Sequence, residues 1–245
     1  MFERKKAILL IHGFVGGNYD YENLPNELQL YRNFDVFTFT LPGHEKIVVK
    51  GVKYQEWLDA SVEKIKFLIE NNYKEIYLIG HSMGGVIATY LASKYTEVKK
   101  LVLVAPAFRY FYFKDGKINI KNITSTIKNV PDLFKNMGRE KVVERIKKTP
   151  IATMLEFTKL VDTCQSSIKK VTCPVLIIHG MNDKVAPIES TNLVHEKISS
   201  KSNTLVNIKD TTHDCFYGKR SIEIKKIIID FLKERPIEKK ETLNI

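Results

Sequence analysis

The segment Ile79-Gly80-His81-Ser82-Met83-Gly84-Gly85 decides how this chain is read. It ends the β-branched, apolar run EIYLIG (75–80) and leads directly into a helical pattern over 83–95. A serine on so tight a strand-to-helix turn needs small residues two before and two after it, because the strained backbone packs closely there. Gly80 and Gly84 stand at those positions. Such a turn lifts Oγ above a sheet and sets it at a helix N-terminus, whose free N–H groups and dipole favour developing negative charge. A glycine-rich turn with an incidental serine would satisfy the pattern G-x-S-x-G, but it would not bring a strand and a helix into register on either side.

Working outward, short strand-like runs alternate with amphipathic stretches. AILLIHG (7–13), DVFTFTLPG (35–43), EIYLIG (75–80), KLVLVAP (100–106), PVLIIHG (174–180) and TLVNIK (204–209) read as strands. Several are apolar at nearly every position, as expected for parallel strands covered on both faces. Helical patterns cover 54–70, 83–95, 188–198 and 222–233. This alternation predicts an α/β fold with a mostly parallel sheet flanked by helices. It breaks between Pro106 and Pro174, where only polar helical patterns over 137–148 and 151–166 are found. The expected organisation is therefore a core from 1–105 and 171–234, a helical cap inserted at 106–170, and a tail at 235–245 that reads as frayed because it lacks apolar periodicity.

A serine hydroxyl is a weak nucleophile and needs a base oriented by a third group. In this architecture the acid follows a later strand and the histidine a later one still. Asp183 lies just past PVLIIHG, and His213 just past TLVNIK. His12 and His179 each precede a glycine at a strand end and read as residues packed or hydrogen-bonded under the site. His81 adjoins Ser82, but neighbours on such a turn point different ways. His44 and His195 read as structural or solvated. For the acid, Asp162 and Asp210 remain rivals to Asp183, while Asp210 and Asp214 lie very close in sequence to His213. Acyl transfer also needs donors for a tetrahedral oxyanion. The backbone N–H of Met83 is one candidate, and that of Phe14, in His12-Gly13-Phe14-Val15-Gly16-Gly17, is the other.

HGF at 12–14, LPGH at 41–44, GHSMGG at 80–85, the Asp183 loop and His213 together resemble the α/β-hydrolase superfamily. Within it, the chain is similar to bacterial carboxylesterases and monoacylglycerol-lipase-like serine hydrolases. The resemblance covers roughly 5–105 and 171–234; the cap matches in position only. It implies a triad of Ser82, Asp183 and His213 with an oxyanion hole at Phe14 and Met83. The implied activity is hydrolysis of short- to medium-chain acyl esters, monoacylglycerols among them, through an acyl-enzyme that needs no metal and no organic cofactor. Serine in place of aspartate argues against the alkyl-enzyme chemistry of dehalogenases and epoxide hydrolases. Thioester hydrolysis, acyl transfer, or a non-catalytic ligand-binding or signalling role on the same fold are the alternatives. Glu45 departs from the pattern, since relatives commonly carry another glycine after the histidine of the LPGH loop, and this leaves the shape of the nearby pocket open.

Composition bounds the remaining classes. The chain has 245 residues, 44% of them hydrophobic and 27% charged, which excludes disordered and fibrous proteins. Its net charge of +11 keeps nucleic acid and anionic membrane surfaces in play. Residues 114–170 carry 13 Lys+Arg against six Asp+Glu, however, so +7 of that excess falls in the expected cap. The aromatic run Phe108, Tyr110, Phe111, Tyr112 and Phe113 opens the same insertion. No nucleic-acid motif accompanies the charge, and the expected partner is a small-molecule acyl ester, with at most weak peripheral attraction to anionic lipid. Three widely spaced cysteines make no disulfide framework, and the apolar run at 7–11 is too short for a secretory or spanning segment. A cytoplasmic location is expected; oligomeric state is left open.

Overall fold

Along the central strands successive side chains fall on opposite faces, and both faces are apolar. Ala7, Leu9 and Ile11 join one buried cluster with Leu78, Leu101, Leu103, Val175, Ile177 and Leu205. Ile8 and Leu10 join another with Ile79, Val102, Val104, Leu176, Ile178 and Val206. This period-two division is what a sheet covered on both faces requires. Each fully buried aliphatic side chain contributes about 1.5–3 kcal/mol relative to exposure.

The computed structural model describes residues 6–46, 48–110, 113–114, 117–118, 148–234 and 239–245. Its strands are β1 (Lys6–Ile11), β2 (Phe34–Thr38), β3 (Ile76–His81), β4 (Val98–Val104), the two-residue pair β5 (Phe113–Lys114) and β6 (Lys117–Ile118), β7 (Val175–Gly180), β8 (Asn203–Ile208) and β9 (Lys240–Asn244). Its helices are α1 (Leu24–Gln29), α2 (Tyr54–Glu70), α3 (Met83–Ala92), α4 (Ile151–Cys164), α5 (Ile188–Lys197) and α6 (Ser221–Lys233). The main sheet has seven parallel strands in the order β2-β1-β3-β4-β7-β8-β9. The chain moves outward from β1 to β2, then crosses back to β3 and continues the other way. The loops after β1 and β3 therefore diverge, opening the crevice where parallel sheets place ligands.

All six expected strands and four expected helices in the core form within three residues of their expected ends, except that β2 stops at Thr38, five residues short of the expected 43. The tail differs. Residues 240–244, expected to fray, form β9, in register with β8 from Asn203↔Lys240 to Asn207↔Asn244. An edge strand needs a ladder on one side only and no core-facing stripe. Its register is held instead by polar pairs such as Asn207 Nδ2 to Asn244 Oδ1, 2.9 Å. Residues 235–238 lie outside the described set. Most of the expected cap, including the helical pattern over 137–147, also falls on residues outside it. The described part contains α4, which is tied to the core where Glu156 accepts the Tyr54 N–H (3.2 Å) and Thr153 Oγ1 donates to the Val49 carbonyl (3.1 Å).

The two glycines of the turn have a steric cause. A Cβ on Gly84 would penetrate the Ile11 carbonyl of β1, and one on Gly80 would meet the Gly84 carbonyl. Helix α3 thus lies against β1 and β3 at a distance only hydrogen permits. Gly84→Ala is expected to destabilise the protein by about 3 kcal/mol, because backbone rather than a side-chain tip would have to move. Denaturant unfolding checks this; a loss under about 1 kcal/mol would mean that the helix can shift away freely.

Candidate active site

Ser82 caps α3 at φ 54° and ψ −117°, a conformation that L-residues seldom adopt and that persists only where surroundings over-determine it. Here they do. The Ser82 N–H donates to the Val104 carbonyl (2.9 Å), and its carbonyl accepts from Gly85 (3.0 Å) and Ala107 (3.2 Å). The backbone is held on both sides, and the side chain turns towards the loop that follows β8.

That loop carries His213, whose Nε2 lies 2.9 Å from Ser82 Oγ. Its Nδ1 lies 2.7 Å from Asp183 Oδ2, on the loop after β7. The other carboxylate oxygen, Oδ1, accepts the N–H groups of Val185 (2.7 Å) and Ala186 (3.0 Å). Since Asp183 can only accept, the network assigns the proton to Nδ1 and leaves Nε2 free to receive one from Oγ. Burial pushes the Asp183 carboxyl up, but His213 and the two backbone donors outweigh it and hold it below the usual value, so it stays ionised. Three groups from three strand ends thus form one hydrogen-bonded chain in which a base can activate a hydroxyl. The rivals for the acid lie elsewhere: Asp162 and Asp210 are both exposed.

Phe14 and Met83, the expected oxyanion donors, flank the same point. Met83 opens α3, and the loop carrying Phe14 passes so near the elbow that a Cβ on Gly13 would lie 3.2 Å from that of Ser82. Val15 holds φ 53°, a strained value for a β-branched residue, while its N–H donates to His44 Nε2 at 3.2 Å. Among the described residues neither the Phe14 nor the Met83 N–H donates to a protein acceptor. The Phe14 ring stacks on Phe157 of α4 (5.3 Å) and meets Trp57 edge-on (6.0 Å), forming an apolar wall beside the elbow.

The other histidines are structural in the ways their neighbours dictate. His12 Nε2 accepts the Leu41 N–H (3.0 Å) and its Nδ1 bonds the Gly13 carbonyl (2.9 Å), tying the loops after β1 and β2 together. His81 bonds the backbone carbonyl of His213 through Nε2 (3.0 Å) rather than the Ser82 hydroxyl. His179 is buried, which pushes its pKa down. His195 bonds Asn203 on β8 and Thr242 on β9, at the edge of the sheet. Glu45 is exposed. Of the aromatic run that opens the insertion, Phe108 and Tyr110 are buried in the core; Phe111 and Tyr112 lie outside the described residues. The residue that sequence reasoning missed is Asp20, whose buried carboxylate accepts two N–H groups of the Phe14 loop. Its signal was the need of a glycine-rich loop for acceptors, which no periodicity announces. Among the described residues no group of three His, Cys, Asp or Glu is placed to hold a metal ion, and no helix is long and apolar enough to cross a membrane.

Residues 3–220 match the family described as serine aminopeptidase, S33. A thermostable monoacylglycerol lipase of Bacillus sp. (strain H-257) is 26% identical over 216 residues, covering 84% of this chain and 82% of the relative. A carboxylesterase of Bacillus subtilis (strain 168) is 22% identical over 236 residues, covering 94% and 93%. Among solved structures, an esterase from Exiguobacterium antarcticum superposes with a TM-score of 0.73 at 20% identity, covering 95% of this chain and 94% of its own. That likeness shows the shared fold.

Proposed function

The chain belongs to the S33 family of α/β hydrolases, and from that premise we propose that it is a serine carboxylic-ester hydrolase acting on short- to medium-chain acyl esters, monoacylglycerols among them. The observation that carries the reading is the continuous chain Ser82 Oγ, His213 Nε2, His213 Nδ1, Asp183 Oδ2, with a strained serine at its head. His213 takes the Ser82 proton as Oγ attacks the ester carbonyl. The Phe14 and Met83 amides receive the oxyanion, and the imidazolium then protonates the leaving alcohol. Water, deprotonated by the same imidazole, attacks the acyl-enzyme; collapse of the second tetrahedral intermediate frees the acid and returns the proton to Ser82. Asp183 orients the ring and stabilises its charged form. The names of the two Bacillus relatives support an ester substrate, and the apolar wall of Phe14, Trp57 and Phe157 suits an acyl chain. We place the enzyme in the cytoplasm, where its free thiols Cys164, Cys173 and Cys215 would persist.

A p-nitrophenyl ester series of increasing acyl length, run on wild type and Ser82→Ala with an aminoacyl p-nitroanilide alongside, tests this. Wild type is expected to turn over the short and medium esters fastest. An anilide hydrolysed faster than any ester, or no ester hydrolysed faster than by Ser82→Ala, would overturn it.

A further inference from the structure

Beneath the elbow lies a second polar chain that the proposed mechanism does not use. It begins at Asp20, on the short turn after the Phe14 loop, whose residue is only 2% exposed. A carboxylate this deep is tolerated only where donors surround it. Its Oδ2 accepts the Gly13 N–H at 3.0 Å, and its Oδ1 the Gly17 N–H at 3.3 Å. The loop from 13 to 17 is therefore wrapped around one carboxylate. Gly16 is part of the same arrangement, since a Cβ there would overlap the Asp20 carboxylate.

The oxygen that holds Gly13 also faces His81, with Nδ1 at 3.5 Å. The opposite nitrogen of that ring, Nε2, is the one bonded to the His213 carbonyl at 3.0 Å. A carbonyl can only accept, so Nε2 carries a hydrogen, and Nδ1 faces a carboxylate. Burial pushes the His81 pKa down, but Asp20, then Asp214 and the His213 carbonyl, raise it above the ordinary imidazole value, which favours a cation bridging the two loops. At Gly13 the lines converge: a Cβ there would lie 3.2 Å from Ser82 Cβ, 3.3 Å from His81 Nδ1 and 3.4 Å from Asp20 Oδ2.

We propose that Asp20 and His81 are a positioning pair that locks the oxyanion loop to the loop carrying His213, so that the Phe14 N–H and the base keep a common register about Ser82. The inference rests on the ester-hydrolase reading and adds to it the device that aligns its two halves. Gly13 is anchored to Asp20 and Val15 to His44, so Phe14 is fixed from both sides while its own N–H remains available. An oxyanion donor acts only when it lies about 2.7–3.1 Å from where the charge develops, and a displacement of about 1 Å costs on the order of 100-fold. Neither Asp20 nor His81 touches the reacting atoms in this scheme; both act through the loops they hold.

Three variants and one probe test it. Asp20→Asn removes the charge and one acceptor. Gly16→Ala leaves every polar group in place but crowds the carboxylate. His81→Gln breaks the bridge from the other side. Each is measured for kcat and KM on p-nitrophenyl butyrate and for inhibition by phenylboronic acid, whose tetrahedral adduct on serine presents an oxyanion to the hole. Circular dichroism corrects every rate for the folded fraction. For Asp20→Asn and Gly16→Ala we expect kcat to fall by roughly 10- to 100-fold with KM changed little, as befits a contact made only in the transition state. Boronate affinity should fall in parallel, and the double variant Asp20→Asn/His81→Gln should lose no more than the worse single variant, because both break one link. A kcat per folded molecule within twofold of wild type, a loss confined to KM, unchanged boronate affinity, or losses that multiply in the double variant would each overturn the pair. If Asp20→Asn does not fold, Gly16→Ala decides the outcome. Wild-type turnover is measured first: its absence would refute the ester-hydrolase reading, whereas turnover unaffected by the variants would refute only this inference.

Discussion

Ser82→Ala is expected to lower kcat by roughly a millionfold on any ester the wild type hydrolyses, the scale on which loss of a serine nucleophile acts when base and acid are left idle. The loss should be chemical and not structural. The strained backbone at φ 54° is held by Val104, Gly85 and Ala107 through main-chain bonds that alanine keeps. Only the bond from Oγ to His213 disappears, worth about 0.5–1.5 kcal/mol of stability. Thermal unfolding should therefore stay within a few degrees of wild type while turnover vanishes. A collapse of folding with activity would mean that Oγ is needed to build the elbow.

Asp183→Asn should cost about 10⁴-fold in kcat, the known scale for this change in a serine triad, and the geometry here states why. Asp183 Oδ1 accepts two backbone N–H groups, from Val185 and Ala186. An asparagine must keep its only oxygen there, which turns its NH₂ towards His213 Nδ1. The ring then holds its proton on Nε2, the atom that has to accept one from Ser82, and the base is in the wrong tautomer. Asp210→Asn, at an exposed site, should leave kcat within about twofold, as surface substitutions usually do. Steady-state kinetics on the two variants decide the assignment, and a larger loss at Asp210 would reverse it.

The parts legible in the sequence were those written in local terms. Gly80 and Gly84 announced the turn because a close backbone approach tolerates no Cβ, and the core strands announced themselves through continuous apolar runs. Chain order, together with their positions just past two expected strands, pointed to Asp183 and His213 on the same rim as Ser82. What could not be read is what depends on partners distant in sequence. β9 has no apolar face and exists through its ladder to β8. The six-residue helix α1 is too short for a clear helical period. His44 read as structural or solvated, and the sequence names no partner for it; it accepts a bond from Val15, 29 positions away. Asp20 sits in a run of glycine, asparagine and tyrosine that predicts only a turn. Its role emerges once the N–H groups of the Phe14 loop are followed to their acceptors.

The central claim is that Ser82 is the nucleophile of this chemistry, activated by His213. It is tested most directly by reacting the native protein with a fluorophosphonate and mapping the adduct by peptide mass spectrometry. The account predicts one phosphonylated site, Ser82, with labelling slowed by orders of magnitude in His213→Ala. A folded wild-type protein that takes up no label, or takes it up at a residue other than Ser82, would contradict it.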